Sequence, residues 1–135
     1  MEIKSDFDEA LLTSIARDSG SKQAVRDVSY VRRFYFKTKD FERKQSTLYI
    51  RYTEDCFIIA TLTIKYFRII GMATREKSKG KGLASFMLDG CVKFAKECGY
   101  NRIYTRTRDG KDFYLHKGFK IIGQQGGDYR MILKI

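Results

Sequence analysis

The sequence has no proline, a single histidine and only three cysteines. With proline absent and the eleven glycines scattered, no segment reads as an interdomain linker. Cys56, Cys91 and Cys98 are odd in number and lack Cys-x-x-Cys spacing, and His116 is the sole imidazole. That inventory excludes a disulfide framework and a standard Cys/His zinc site, so no metal is expected. No apolar run approaches the ~18 residues of a membrane span, and the start Met1 to Asp6 lacks the charged-then-apolar pattern of a secretory signal. The expectation is a cytoplasmic protein without a membrane partner. No repeat recurs at a period of about 20–50 residues.

What is present is enough for one core. At 135 residues the chain reads as a single domain spanning 1–135, and 43% hydrophobic against 32% charged residues is the balance of a globular protein. Its 27 Lys and Arg outnumber 16 Asp and Glu, for a formal charge of +11. The partner is therefore expected to be anionic: nucleic acid, an acidic protein surface or a phosphate-rich cofactor.

Hydrophobic periodicity gives the order of elements. Asp6 is placed to cap a helix carrying Leu11, Leu12 and Ile15, and Val25, Val28, Val31 and Phe34 predict a basic helix from Lys22 to about Phe36. Thr47 to Thr53, Cys56 to Ile64 and Phe67 to Thr74 read as an antiparallel meander. A glycine-containing basic segment, Arg75 to Gly82, precedes a long helix with Leu83, Met87, Cys91, Phe94, Ala95 and Cys98 on one stripe, which makes both cysteines small buried hydrophobes. A strand from Arg102 to Arg106, a short helix from Lys111 to Lys117 and a closing hairpin follow. The fold class is α/β (α+β): a mixed, mostly antiparallel sheet of six or seven strands with helices on both faces.

The stretch from Phe67 to Leu88 carries the chemistry. A strand runs into a basic glycine turn and then a helix, where successive backbone N–H groups and the helix dipole converge on an anion. Glycine supplies the backbone freedom and leaves room for close approach. Gly80-Lys81-Gly82 lacks the third glycine of the dinucleotide fingerprint and no P-loop triplet occurs, which disfavours NAD and ATP.

Lys79-Gly80-Lys81-Gly82-Leu83-Ala84 resembles the Gln/Arg-x-x-Gly-x-Gly/Ala motif of the GNAT superfamily of N-acetyltransferases. Phe113-Tyr114-Leu115-His116-Lys117-Gly118-Phe119 is similar to the family's Tyr-x-x-x-Gly-Phe block. The resemblance covers roughly Thr47 to Lys134, with two departures: Lys79 where Gln or Arg is usual, and Glu76 where proline often stands. It implies acetyl-CoA as co-substrate, with the backbone of Met72, Ala73 and Thr74 pairing with the pantetheine arm. Amides from Lys79, Gly80, Lys81, Gly82, Leu83, Ala84 and Ser85 would then hold the pyrophosphate. It also implies Tyr114 as the acid that protonates the departing thiolate, with a neutral amine attacking the thioester directly.

The general base is less legible, because Cys56 to Arg75 contains no Asp or Glu. Glu54 leads, with Asp55 beside it and Glu76 behind, and an α-amino acceptor of pKa near ~8 would need little help. The segment Arg32, Arg33, Lys37, Lys39, Arg43 and Lys44, interleaved with Tyr30, Phe34, Tyr35, Phe36 and Phe41, is either a solvated face or a surface for an acidic acceptor or RNA. Two other readings stay open: an RNA-directed acetyltransferase, for example of aminoacyl-tRNA, and a basic nucleic-acid-binding module without turnover. Monomer and homodimer are both compatible with the sequence.

Overall fold

The computed structural model describes residues 2–36 and 47–135. The first helix, α1 (Glu9–Asp18), begins two residues after the predicted point, because Asp8 accepts the Leu11 N–H at 3.1 Å and is the cap. Asp6 serves elsewhere: its carboxylate accepts the Tyr52 hydroxyl at 2.5 Å, and that bond holds its pKa below the ordinary value. Helix α2 (Lys22–Val31) is capped by Ser21, whose hydroxyl accepts the Ala24 N–H at 3.1 Å. The helical path then widens into a π-turn, Arg32–Phe36, where the rings of Tyr30 and Phe34 lie 4.7 Å apart. Lys37, Lys39, Phe41, Arg43 and Lys44 of the basic segment lie outside the described residues.

Strands β1 (Thr47–Tyr52), β2 (Cys56–Leu62) and β3 (Phe67–Thr74) form the expected meander. After a 3₁₀ turn at Glu76–Ser78 come α3 (Leu83–Glu97), β4 (Arg102–Thr107), α4 (Lys111–His116), β5 (Lys120–Gln125) and β6 (Asp128–Lys134). The six strands take the order β1-β2-β3-β4-β6-β5, and every pair is antiparallel except β3 with β4. That one parallel pair is the seam of the molecule, since its strands are joined by a helical crossover.

Both faces of the sheet are covered. Cys56, Ile58, Ala60 and Leu62 of β2 face Met87, Leu88, Cys91 and Ala95 of α3, together with Phe67, Ile103 and Met131. Phe57 and Ile59, turned by the strand's period of two, face Leu12, Ile15, Val28 and Val31 of α1 and α2. β2 is therefore buried along its whole length. Cys91 lies in this core as expected, but Cys98 is exposed, because it follows the last residue of α3 where the stripe leaves the sheet.

Candidate active site

The site begins as a defect in β3. Against β2, Ile59 faces Gly71 while the next residue, Ala60, faces Ile69, so Ile70 is an extra residue and β3 bulges there. A bulge bends its strand and ends regular pairing. Accordingly β3 pairs with β4 only at Arg68–Tyr104 and Ile69–Thr105, and the β4-facing edge of residues 70–74 is left open while β4 runs on beside β6. The result is a cavity of about 350 Å³ lined by Gly71, Met72, Ala73 and Thr74 on one side and Thr105, Thr107 and Tyr114 on the other.

At one end of this slot stand the glycine turn and the start of α3. Gly80 and Gly82 both have φ of +80°, a backbone region that costs an L side chain about 1–2 kcal/mol. The first α3 bond is from the Phe86 N–H to the Gly82 carbonyl at 3.0 Å. The N–H groups of Gly80, Lys81, Gly82, Leu83, Ala84 and Ser85 have no acceptor among the described residues. Orphan donors at a helix start, with the dipole behind them, have the character that suits an anion such as phosphate. Lys79 does not share this role through its amide, which donates to the Glu76 carbonyl at 3.3 Å. Its ammonium group donates to the Ser19 carbonyl and pairs with Glu76, both at 2.8 Å, and so ties the turn to the corner between α1 and α2.

Tyr114 stands at the inner wall. Its ring packs edge-on to Phe119 at 5.0 Å, and its hydroxyl lies 3.7 Å from the Met72 sulfur, across the open seam. Burial pushes the phenol's pKa well above its ordinary value, the Thr105 hydroxyl opposes this, and the charges of Cys91 and Asp27 add to it. The group therefore keeps its proton at neutral pH and is a donor.

The predicted bases do not line this cavity. Glu54 is exposed in the turn between β1 and β2, and it lines a different cavity with Tyr52, Thr53 and Lys77. Asp55 lies in the same turn, 3.8 Å from Arg75, and Glu76 is paired with Lys79. The slot instead holds Asp27 of α2, which sequence reasoning missed. Asp27 packs on the bulge itself: a Cβ built on Gly71 would stand 2.8 Å from the Asp27 Cβ and 2.9 Å from its Oδ2. Burial is the first cause that raises its carboxyl to about 7; Arg26 pulls it down, and Asp128 and Asp109 push it up. A carboxylate held near neutrality in a cleft is a functional candidate. The signal in the sequence was modest. Asp27 is the one acidic residue between Lys22 and Phe36, three residues after Ala24 and four before Val31, both on the buried face.

A slot with an open strand edge on one wall and free amides at its mouth suits a long acyl carrier that has an amide-bearing arm and a phosphate-bearing end. The acetyltransferase (GNAT) family profile matches residues 12–119. The chain belongs to this family and is an acetyl-CoA-dependent transferase. No curated protein sequence matches it. Among solved structures it is similar to the PaiA N-acetyltransferase of Thermoplasma acidophilum in complex with coenzyme A, at 18% identity and TM-score 0.72 over 100% of both chains. It is also similar to the ribosomal-protein-S18-alanine N-acetyltransferase of Escherichia coli, at 13% identity and TM-score 0.70, covering 99% of this chain and 93% of that one. An acetyltransferase of Thermus thermophilus gives 15% and 0.71, covering 100% of this chain and 98% of that one. These likenesses establish the shared fold. No helix among the described residues is long and apolar enough to cross a membrane.

Proposed function

We propose that the chain moves an acetyl group from acetyl-CoA directly to a primary amine, with Asp27 as general base and Tyr114 as general acid. The observation that carries this reading is that a carboxyl raised to about 7 and a phenol that retains its proton line one slot opened by the β3 bulge. The names of similar solved structures, two of them N-acetyltransferases, support an amine acceptor.

Acetyl-CoA supplies an activated thioester when bound. The residues fit it: the open edge of Met72, Ala73 and Thr74 offers strand-like hydrogen bonds to an amide-bearing arm, and the free amides of residues 80–85 offer donors to pyrophosphate. Asp27, as the carboxylate, takes the proton from the incoming ammonium group or amine. Its position near pH 7 leaves a large ionised fraction under physiological conditions while keeping it basic enough to accept. Tyr114 donates its hydroxyl proton to the leaving sulfur. The neutral amine nitrogen attacks the thioester carbonyl directly, the C–N bond forms as the C–S bond breaks, and the thiolate leaves with the Tyr114 proton, so no covalent intermediate on the protein is needed.

The test is free-thiol release from acetyl-CoA across a panel of amines. Wild-type protein is expected to release thiol, and Asp27→Asn to lower kcat/KM by about 10²–10⁴-fold while acetyl-CoA still binds. Wild-type turnover in Asp27→Asn would remove that carboxylate from the mechanism. Binding of RNA with steep salt dependence and no thiol release with any acceptor would favour the binding-module reading instead.

A further inference from the structure

Beside the slot lies a second cavity of about 390 Å³ that none of the glycine-turn residues lines. Gln23, Asp27, Ile70 and Arg106 line both spaces, so the two meet at the proposed base. The second space is walled by four arginines, Arg26, Arg68, Arg106 and Arg108, against the two carboxylates of Asp27 and Asp128. Asp128 is already divided, since it accepts from the Nε groups of Arg106 and Arg108, both at 2.9 Å. Arg26 makes no hydrogen bond or ion pair among the described residues; its charge acts on Asp27. The Nε of Arg68 is buried without a hydrogen-bond partner among the described residues, with its guanidinium carbon 5.9 Å from the centre of the Tyr66 ring.

A buried guanidinium Nε such as that of Arg68 is rarely left unmatched, and the planar fork of an arginine, the exposed Arg26 included, is shaped for carboxylate or phosphate oxygens. The wall as it stands also repels a purely cationic amine from the place where its proton must be removed. We infer that this cavity is the acceptor's anion subsite, so that the substrate is a small amine that also carries a carboxylate or phosphate, bound by Arg26 and Arg68 with its amine turned to Asp27. The inference rests on the acetyl-transfer reading above and specifies its acceptor. A polyamine or a neutral amine lacks the group these arginines require.

The experiment measures thiol release from saturating acetyl-CoA with matched pairs: glycine against glycinamide, and 2-aminoethyl phosphate against ethanolamine, with spermidine as the cationic comparator. The anionic member of at least one pair is expected to exceed its neutral partner by about ten-fold or more in kcat/KM, through KM, and the stronger pair tells carboxylate from phosphate. Arg68→Gln and Arg26→Gln should each bring that ratio toward one while the acetyl-CoA dissociation constant stays the same. Equal or better use of glycinamide, ethanolamine or spermidine would overturn the inference, as would a ratio unmoved by both substitutions. Acetate and inorganic phosphate titrated into the CoA-loaded protein give a result even where none of these amines is turned over. Binding of one of them, weakened about ten-fold in Arg68→Gln, is expected, and no binding to wild type overturns the subsite. Acetyl-CoA binding is titrated separately, so its failure marks the transfer reading as wrong and is distinguishable from the loss of anion binding alone.

Discussion

Removing the charge of Asp27 is expected to stabilise the protein and disable it at once. The carboxyl moves from 3.8, its ordinary value, to about 7 in the folded chain, chiefly because it is buried. At 1.36 kcal/mol per pH unit, that gap is an upper bound of about 4 kcal/mol. Below about pH 4 the group is protonated in folded and unfolded chains alike and contributes no difference. Between about pH 4 and 7 the unfolded chain ionises while the folded one keeps its proton, so stability falls as pH rises and the full cost is present above about 7. Allowing for solvent screening at a partly exposed group, Asp27→Asn should be more stable than wild type by about 2–4 kcal/mol near pH 8 and equal to it near pH 4. For a chain of this length that is a rise in Tm of about 5–15 °C. Paired thermal melts at the two pH values measure it. A variant that is destabilised near pH 8, or displaced equally at both, would refute the claim that burial holds this carboxyl up.

The other substitutions probe separate parts of the site. Tyr114→Phe removes only the hydroxyl and should cut kcat by about 10²-fold with acetyl-CoA affinity unchanged, whereas a wild-type rate would free the phenol from any part in proton transfer. Gly82→Glu should abolish acetyl-CoA binding in a calorimetric titration by setting a carboxylate among the free amides, while Gly82→Asn, which tolerates the left-handed φ of +80°, keeps the fold and measurable affinity; unchanged binding in the glutamate variant would exclude the turn as the phosphate site. Gly71→Ala should cost about 1–3 kcal/mol in denaturant unfolding, because the new methyl group meets Asp27 at 2.8 Å, and should lower activity with it; no change in either would mean that Asp27 does not pack on the bulge. A thiol reagent should modify only Cys98 in the native protein and reach Cys56 and Cys91 after unfolding, and rapid native reaction of Cys91 would contradict its place in the core.

The elements were legible where period and turn chemistry agreed. The alternation of Thr47 to Thr53, the β-branched residues of Cys56 to Ile64 and the resumption at Phe67 after a turn marked three strands, and the apolar stripe after Gly82 marked α3. Tyr114 and the glycine turn could be proposed from the sequence because each stands in a local motif that one stretch of chain can display. Asp27 was not, because its meaning is tertiary. Its carboxyl acquires its character only when α2 packs on the bulge at Ile70 and a glycine at 71 leaves space for it. The anion subsite was hidden for the same reason: Arg26, Arg68, Arg106 and Arg108 come from three elements and the turn after β4, and net charge alone cannot say that they share a wall. Glu54 was attractive by its nearness in sequence to a strand end, yet the turn between β1 and β2 directs it to another cavity.

The slot opened between β3 and β4 is expected to hold acetyl-CoA with its thioester between Asp27 and Tyr114. A crystal structure of the acetyl-CoA complex tests it most directly. The expected complex has the pantetheine arm along Met72 to Thr74, the pyrophosphate on the amides of residues 80–85 and the sulfur within hydrogen-bonding reach of the Tyr114 hydroxyl. A complex in which the thioester lies away from Tyr114, or the pyrophosphate away from the glycine turn, would contradict it.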